Sequence, residues 1–228
     1  MWCPCVRVGQ SFTRPLSMPD FPVFTHSAEL RSLFGEIDIY LFDQLLRARF
    51  DRRHRVLDAG CGDGRNLVYL LQRGAECYGV DRDEAAIAAM RRLAATHAPA
   101  LPESHFRVAD LTRLPFADGS MDAVICSAVL HFAEDEAEWE AMVSEAWRVL
   151  AAGGLFFARL ASNIGLEPQL GRSPGRMRLP DGSMRFVVTE ALLVEWTARL
   201  GGRLADPIKT TNVQQMRAMT TWVVEKPR

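Results

Sequence analysis

The sequence predicts an α/β fold, a largely parallel sheet with helices packed on both faces. Three observations carry this. Short runs rich in Val, Ile, Leu, Phe and Cys alternate with longer stretches whose apolar residues recur at helical spacing. The short runs are nearly continuous in apolar character, as strands buried on both faces are. A glycine-rich turn, "VLDAGCGDGRN" (Val56–Asn66), joins the first strand to the helix after it. The chain has 228 residues, 48% hydrophobic and 24% charged, which suits one domain with a full core.

The elements follow in order. "SAELRSLFGEIDIYLFDQLLRARF" (27–50) has helical periodicity, with Gly35 as a break between two helices. The first strand is "RVLDA" (55–59), followed by a helix over 65–72 that Gly74 stops. "ECYGVD" (76–81) is the second strand, and "DEAAIAAMRRLAATHA" (83–98) the second helix of the core, ending before Pro99. "HFRVAD" (105–110) and "DAVICSAV" (122–129) are the third and fourth strands. An amphipathic helix over 134–154 with a glycine stop leads to a fifth strand, "GLFFARLA" (154–161). Residues 161–185 lose the alternation, hold several Gly and Pro, and read as an insertion over a functional site. Thr189 caps a further helix, "TEALLVEWTARLG". "GRLADPIKTT" and "MRAMTTWVVEK" then close the chain as an antiparallel hairpin across "NVQQ".

Composition narrows the function classes. A net charge of −1 supplies no whole-protein field for nucleic acid or an anionic membrane. No apolar run approaches the roughly 20 residues of a membrane span. Cys3, Cys5, Cys61, Cys77 and Cys126 are odd in number and scattered, which argues against a secreted disulfide framework. No second Cys/His pair completes a metal site with Cys3 and Cys5, so no metal is expected. "MWCPCVRVGQSFTRPLS" lacks the charged and apolar regions of a signal peptide. A cytoplasmic protein is expected, with residues 1–26 a disordered or extended segment.

The glycine turn selects a ligand. The dinucleotide pattern G-x-G-x-x-G requires a small residue three after the second glycine, where this chain has Arg65. No G-x-x-x-x-G-K-[ST] occurs, which excludes a P-loop. The pattern present is Asp58-x-Gly60-x-Gly62-x-Gly64. A carboxylate ahead of the turn repels pyrophosphate and attracts a cation. Asp81 ends the second strand, where an acid accepts from both ribose hydroxyls, and Asp110 ends the third, where it meets an adenine amine. A ribose, an exocyclic amine and a positive charge, without phosphate, describe S-adenosylmethionine.

The stretches "VLDAGCGDGRN", "YGVDRDEAAI", "VADLTRLPFADGSMDAVICSAVLHF" and "EAWRVLAAGGLFFARL" resemble the class I S-adenosylmethionine-dependent methyltransferases of the small bacterial type, over about residues 55–160. The resemblance implies a Rossmann-like three-layer sandwich with a seven-stranded, mostly parallel sheet, its last strand antiparallel and inserted beside the fifth. It implies that Asp58 and the turn Gly60, Cys61 and Gly62 hold the methionine moiety and that Asp81 binds the ribose. Arg82 would flank the adenine, Asp110 and Leu111 would meet its amine, and the Ser127 carbonyl would meet the amino group. The amino-methylating branch that acts on nucleic acid carries Asn-Pro-Pro-aromatic after the fourth strand, where this chain has "CSAVLHF". The expected partner is therefore a small-molecule methyl acceptor, with no nucleic acid and no membrane.

His131 is the candidate for orienting or deprotonating the acceptor, with packing beside Phe132 as the competing role. Tyr40 on the N-terminal helix, and Arg176 and Arg178 in the insertion, are the candidate acceptor contacts. The expected organisation is a helical lid over 27–50, a cofactor-binding core over 55–160, the insertion over 161–185, and a C-terminal helix and hairpin over 186–228. A non-catalytic S-adenosylmethionine binder and an NAD-dependent oxidoreductase are the alternatives.

Overall fold

The computed structural model describes residues 27–51 and 54–228. The expectations for residues 1–26, Cys3 and Cys5 included, lie outside the described residues. In chain order the elements begin with α1 (Ser27–Phe34), α2 (Ile39–Leu46), β1 (Arg55–Ala59), α3 (Val68–Gln72), β2 (Glu76–Asp81) and α4 (Glu84–His97). The middle of the chain forms β3 (Phe106–Val108), β4 (Met121–Ser127), α5 (Glu136–Val149) and β5 (Leu150–Ser162). There follow α6 (Glu167–Leu170), β6 (Gly175–Arg178), β7 (Met184–Val187), α7 (Glu190–Arg199), β8 (Arg203–Leu204), β9 (Lys209–Val213) and β10 (Arg217–Glu225).

The main sheet runs β3-β2-β1-β4-β5-β10, with β8 and β9 both paired to the outer edge of β10. Strands β3, β2, β1, β4 and β5 are parallel, and β10 is antiparallel to β5 over Leu155–Ser162. The sheet thus has the expected last strand inserted beside the fifth. It counts eight strands rather than seven because its edge column breaks between Leu204 and Lys209. Pro207 lies in that break and cannot donate to the ladder. Asp206 there turns inward to accept from Gln44 and from Arg49, at 2.9 and 2.8 Å.

Alternation along the strands builds two cores, one on each face. Phe156, Trp222, Trp139, Trp196 and Phe186 pack on the face covered by α5 and α7. Phe157, Val223, Leu67, Ile87, Met90 and Phe106 pack on the face covered by α2, α3 and α4. Side chains of adjacent strand residues point to opposite faces, so Phe156 and Phe157 serve different cores. Acids and a hydroxyl fix the helix starts. Asp38 accepts from Tyr40 N, Asp83 from Ala85 N, Asp135 from Glu138 N and Thr189 from Leu192 N.

Three expectations need correction. Leu150–Gly154 belongs to β5 and not to the tail of α5, because Leu150 pairs with Met121 before the register shifts. The helix after the glycine turn begins at Val68 rather than Arg65, because Gly64–Leu67 closes a turn of its own. The irregular insertion contains a β-hairpin, β6 with β7, in register from Gly175↔Val187 to Arg178↔Met184.

Gly64 has φ of +92°, and a Cβ there would lie 2.2 Å from Met90 Sδ in the core of α4. Gly74 has φ of +77° but open space around it. Gly64→Ala should therefore cost about 3 kcal/mol, strain plus overpacking, and Gly74→Ala about 1 kcal/mol, strain alone. Urea unfolding midpoints of the two variants check this; equal losses would contradict it.

Candidate functional site

The site begins at the carboxyl end of β1. Asp58 pairs in register with Gly79 of β2 and Ile125 of β4, in the middle of the sheet, and is 0% exposed. Neither carboxylate oxygen has a hydrogen-bond partner of normal geometry among the described residues. Burial pushes the Asp58 carboxyl up to about 7, against the opposing pull of Arg65 and Asn66. Both Gly60 N and Cys61 N donate to the Val80 carbonyl, at 2.8 and 3.0 Å, which folds the turn over the end of β2. Gly60 has φ of +84°, and a Cβ on it would strike Val129 at 2.4 Å. Only glycine lets this turn approach the loop after β4.

Two further acids are fixed by backbone donors. Asp81 accepts from Gly62 N at 2.9 Å and from Asp83 N at 3.0 Å. Asp110 accepts from Thr112 Oγ1 at 2.6 Å and from Thr112 N at 2.8 Å. The hydroxyl contact, helped by the amide, holds the Asp110 carboxyl below the usual carboxylate range. Between these acids lies a cavity of about 190 Å³. It is lined by five residues expected from the sequence, Gly60, Asp81, Arg82, Asp110 and Leu111, and also by Val129, Phe132, Glu138 and Met142. Asp81, Asp110 and Glu138 set three carboxylates against the single guanidinium of Arg82. Of the other expected residues, Asp58, Cys61, Gly62 and Ser127 are not on its wall. Cys61 is buried with its sulfur against Gly79, and the Ser127 hydroxyl donates to Asp38 at 3.5 Å.

A second cavity, of about 520 Å³, lies beyond the loop that follows β4. Ala128 and Phe132 line both cavities. Ala128 has φ of +61°, a strained conformation for a residue with a side chain, and its N–H donates to the Arg159 carbonyl at 2.7 Å. His131 lines the second cavity and is 5% exposed. Its ring meets Phe132 edge-on at 4.6 Å, and its Nδ1 is buried without a partner among the described residues. Burial, aided by Arg185, Arg159 and Arg217, depresses its pKa to about 4, so the imidazole is neutral near pH 7.

The acceptor-contact candidates divide. Tyr40 is half-buried and off both cavity walls. Its hydroxyl is hydrogen-bonded to Thr211 Oγ1, and the Arg159 guanidinium stands 5.0 Å from its ring. Arg176 pairs with Glu134 at 3.2 Å and donates to the Ala133 carbonyl at 3.1 Å, fastening the hairpin to the loop after β4. Arg178 is exposed and donates to Gly182 in its own hairpin turn, which takes it away from the cavity. The arginines that line the second cavity are Arg159, Arg185 and Arg217. Arg159 pairs at 2.6 Å with Asp38, which is 3% exposed and caps α2. Sequence reasoning missed this pair. The available signals were an aspartate ahead of "IYLF" and a single charge in the apolar run "GLFFARLA".

Residues 57–158 match the family model described as "Methyltransferase domain". A probable S-adenosylmethionine-dependent methyltransferase of Mycolicibacterium smegmatis is 33% identical over 113 residues, 50% of this chain and 40% of that protein. Ribosomal RNA large subunit methyltransferase G of Aeromonas hydrophila is 30% identical over 144 residues, 60% of this chain and 37% of that protein. The chain thus spans less than half the length of these relatives. Among solved structures, Burkholderia thailandensis 1,6-didemethyltoxoflavin-N1-methyltransferase, with its toxoflavin precursor and S-adenosylhomocysteine bound, superposes with a TM-score of 0.63. That likeness covers 89% of this chain and 87% of the other at 17% identity, and concerns the fold. Over residues 57–158, 102 of the 228, the chain is thus similar to the methyltransferase domain of S-adenosylmethionine-dependent enzymes. Among the described residues no helix is long and apolar enough to cross a membrane.

A buried carboxyl with a raised pKa has a signature in stability. Between about pH 4 and 7 the folded state holds a proton on Asp58 that the unfolded chain has lost. That contribution is fully present below the unfolded pKa and lost as pH rises through 7. Asp58→Asn should therefore gain on the wild type by a few kcal/mol between pH 5 and pH 8, in paired urea titrations. A constant difference across that range would contradict the assignment.

Proposed function

We propose that the protein is an S-adenosylmethionine-dependent methyltransferase acting on a small-molecule acceptor held in the second cavity. One observation carries this reading: a carboxyl buried without a partner beside a cavity lined by three further acids. Such a group is costly to bury unless a ligand donor completes it. An adenosyl sulfonium compound fits the set, since its ammonium group suits Asp58 and the Ser127 carbonyl, with Gly60, Cys61 and Gly62 curved around the methionine moiety. The ribose hydroxyls suit Asp81, whose oxygens each already accept one backbone N–H and retain further lone pairs. Arg82 would flank the adenine, and Asp110 with Leu111 would meet its amine. When bound, the cofactor supplies an electrophilic methyl group for in-line displacement.

The chain's own contribution is mainly positioning and exclusion of water. Ala128 and Phe132 form the partition across which donor and acceptor meet. His131 is neutral near pH 7, and burial beside three arginines makes it a weak base, so its role is to orient the acceptor and not to take its proton. Tyr40 acts through Arg159, holding the guanidinium that walls the acceptor cavity. The helices over 27–50 serve as a lid joined to the sheet by Asp38 and Arg159. A concave cavity of about 520 Å³ supports a small acceptor, since metabolite sites commonly fall in that range.

S-adenosylhomocysteine at about a hundred times its dissociation constant should raise the unfolding free energy by about 2.7 kcal/mol. Asp81→Ala should lose most of that shift at the same concentration. A thermal-shift titration reads both; no shift in the wild type, or an equal shift in the variant, would overturn the reading.

A further inference from the structure

The two cavities on either side of Ala128 and Phe132 carry opposite charge. On the donor side Asp81, Asp110 and Glu138 outnumber Arg82, with Asp58 buried beneath the turn. On the other side three guanidiniums, of Arg159, Arg185 and Arg217, face two carboxylates. Asp38 is spent on Arg159 at 2.6 Å. Asp181 accepts from Ser183 Oγ at 2.6 Å and from Ser183 N at 3.0 Å. Those contacts, with Arg217 and Arg185 nearby, hold its carboxyl below the usual range, so it stays anionic. His131 adds no charge near neutral pH. One positive charge is left over.

The arginines differ in how they are held. Arg185 lies 4.8 Å from the Phe132 ring and donates to the Met184 carbonyl through Nη1. It is therefore oriented on the same ring that separates the cavities. Arg217 opens β10 at the cavity mouth, and its guanidinium has no ion pair or hydrogen bond among the described residues. Arg159 forms the inner wall, with its Nε buried and unpartnered.

Resting on the methyltransferase reading above, we propose that the acceptor is a small molecule bearing a carboxylate or phosphate group, held between Arg185 and Arg217. The planar guanidinium matches either oxyanion. A cationic donor and an anionic acceptor would then each enter the side of the partition whose charge complements it. The clamp leaves the reacting end of the acceptor beside His131 and Phe132.

The test is calorimetric titration of the full chain with benzoate, phenyl phosphate and the neutral benzamide, with and without saturating S-adenosylhomocysteine. Wild type, Arg185→Met and Arg217→Met are compared, with melting curves to verify folding; Arg217 is exposed, so its variant isolates the charge from packing. At least one anion should bind about ten-fold or more tighter than benzamide, as a charge-assisted contact implies. Each variant should lose that preference while keeping the wild-type affinity for S-adenosylhomocysteine. The stronger of the two anions identifies the oxyanion as carboxylate or phosphate. Benzamide binding as tightly as both anions, no binding by any probe, or an anion preference retained in both variants would overturn the clamp. Failure of S-adenosylhomocysteine to bind would instead overturn the donor reading, and the titrations run without it would still decide the clamp.

Discussion

An acid without a partner stands at the middle of the sheet, and the surrounding structure is arranged around it. Asp58 is flanked by β2 and β4, roofed by the glycine turn, and closed off from water. Leaving such a group unpaired costs stability, and its raised pKa is how that cost is expressed. The arrangement is reasonable in a protein whose resting state awaits a cationic ligand. It also explains why the turn is built from glycines: the chain must reverse tightly over Val80 and pass Val129 without a side chain in the way.

A second constraint ties the second cavity to the same sheet. Arg159 sits on β5, one strand beyond β4, and meets an aspartate from the N-terminal helices 121 residues earlier in the chain. That aspartate caps α2, receives the Ser127 hydroxyl, and receives Arg159, so one carboxylate joins helix, β4 and β5. A buried ion pair is a poor source of net stability. Its value here is geometric, because it sets where α2 and Tyr40 lie relative to the second cavity. The strained Ala128 lies on the same partition and donates to the Arg159 backbone.

The sequence made much of this legible where local rules govern. β1 and β2 match their expected bounds to the residue, since each is a short apolar run with an acid at its last or next-to-last position. Gly35, Asp83 and Thr189 mark helix boundaries through backbone preferences that need no tertiary information. The start of β5 was not legible, because "LAAGG" suits a helix end until Met121 is available as a partner. The hairpin β6–β7 was hidden for a similar reason: its strands are short, and each is held by the other. In the site, the acids at strand ends could be read from spacing. Arg159 and Arg217 could not, since their meeting with Arg185 depends on how β5, β10 and the hairpin are brought together. Arg178 and Arg185 lie on the two strands of one hairpin, whose turn takes the first outward and leaves the second on Phe132.

On the proposed function, Asp58 is protonated in the free protein near pH 6 and ionises when a cationic amine reaches it. Titration calorimetry with S-adenosylhomocysteine at pH 6, in buffers of different ionisation enthalpy, measures the protons released on binding. Close to one proton should be released by the wild type and none by Asp58→Asn. Binding by the wild type without proton release would contradict this role for Asp58.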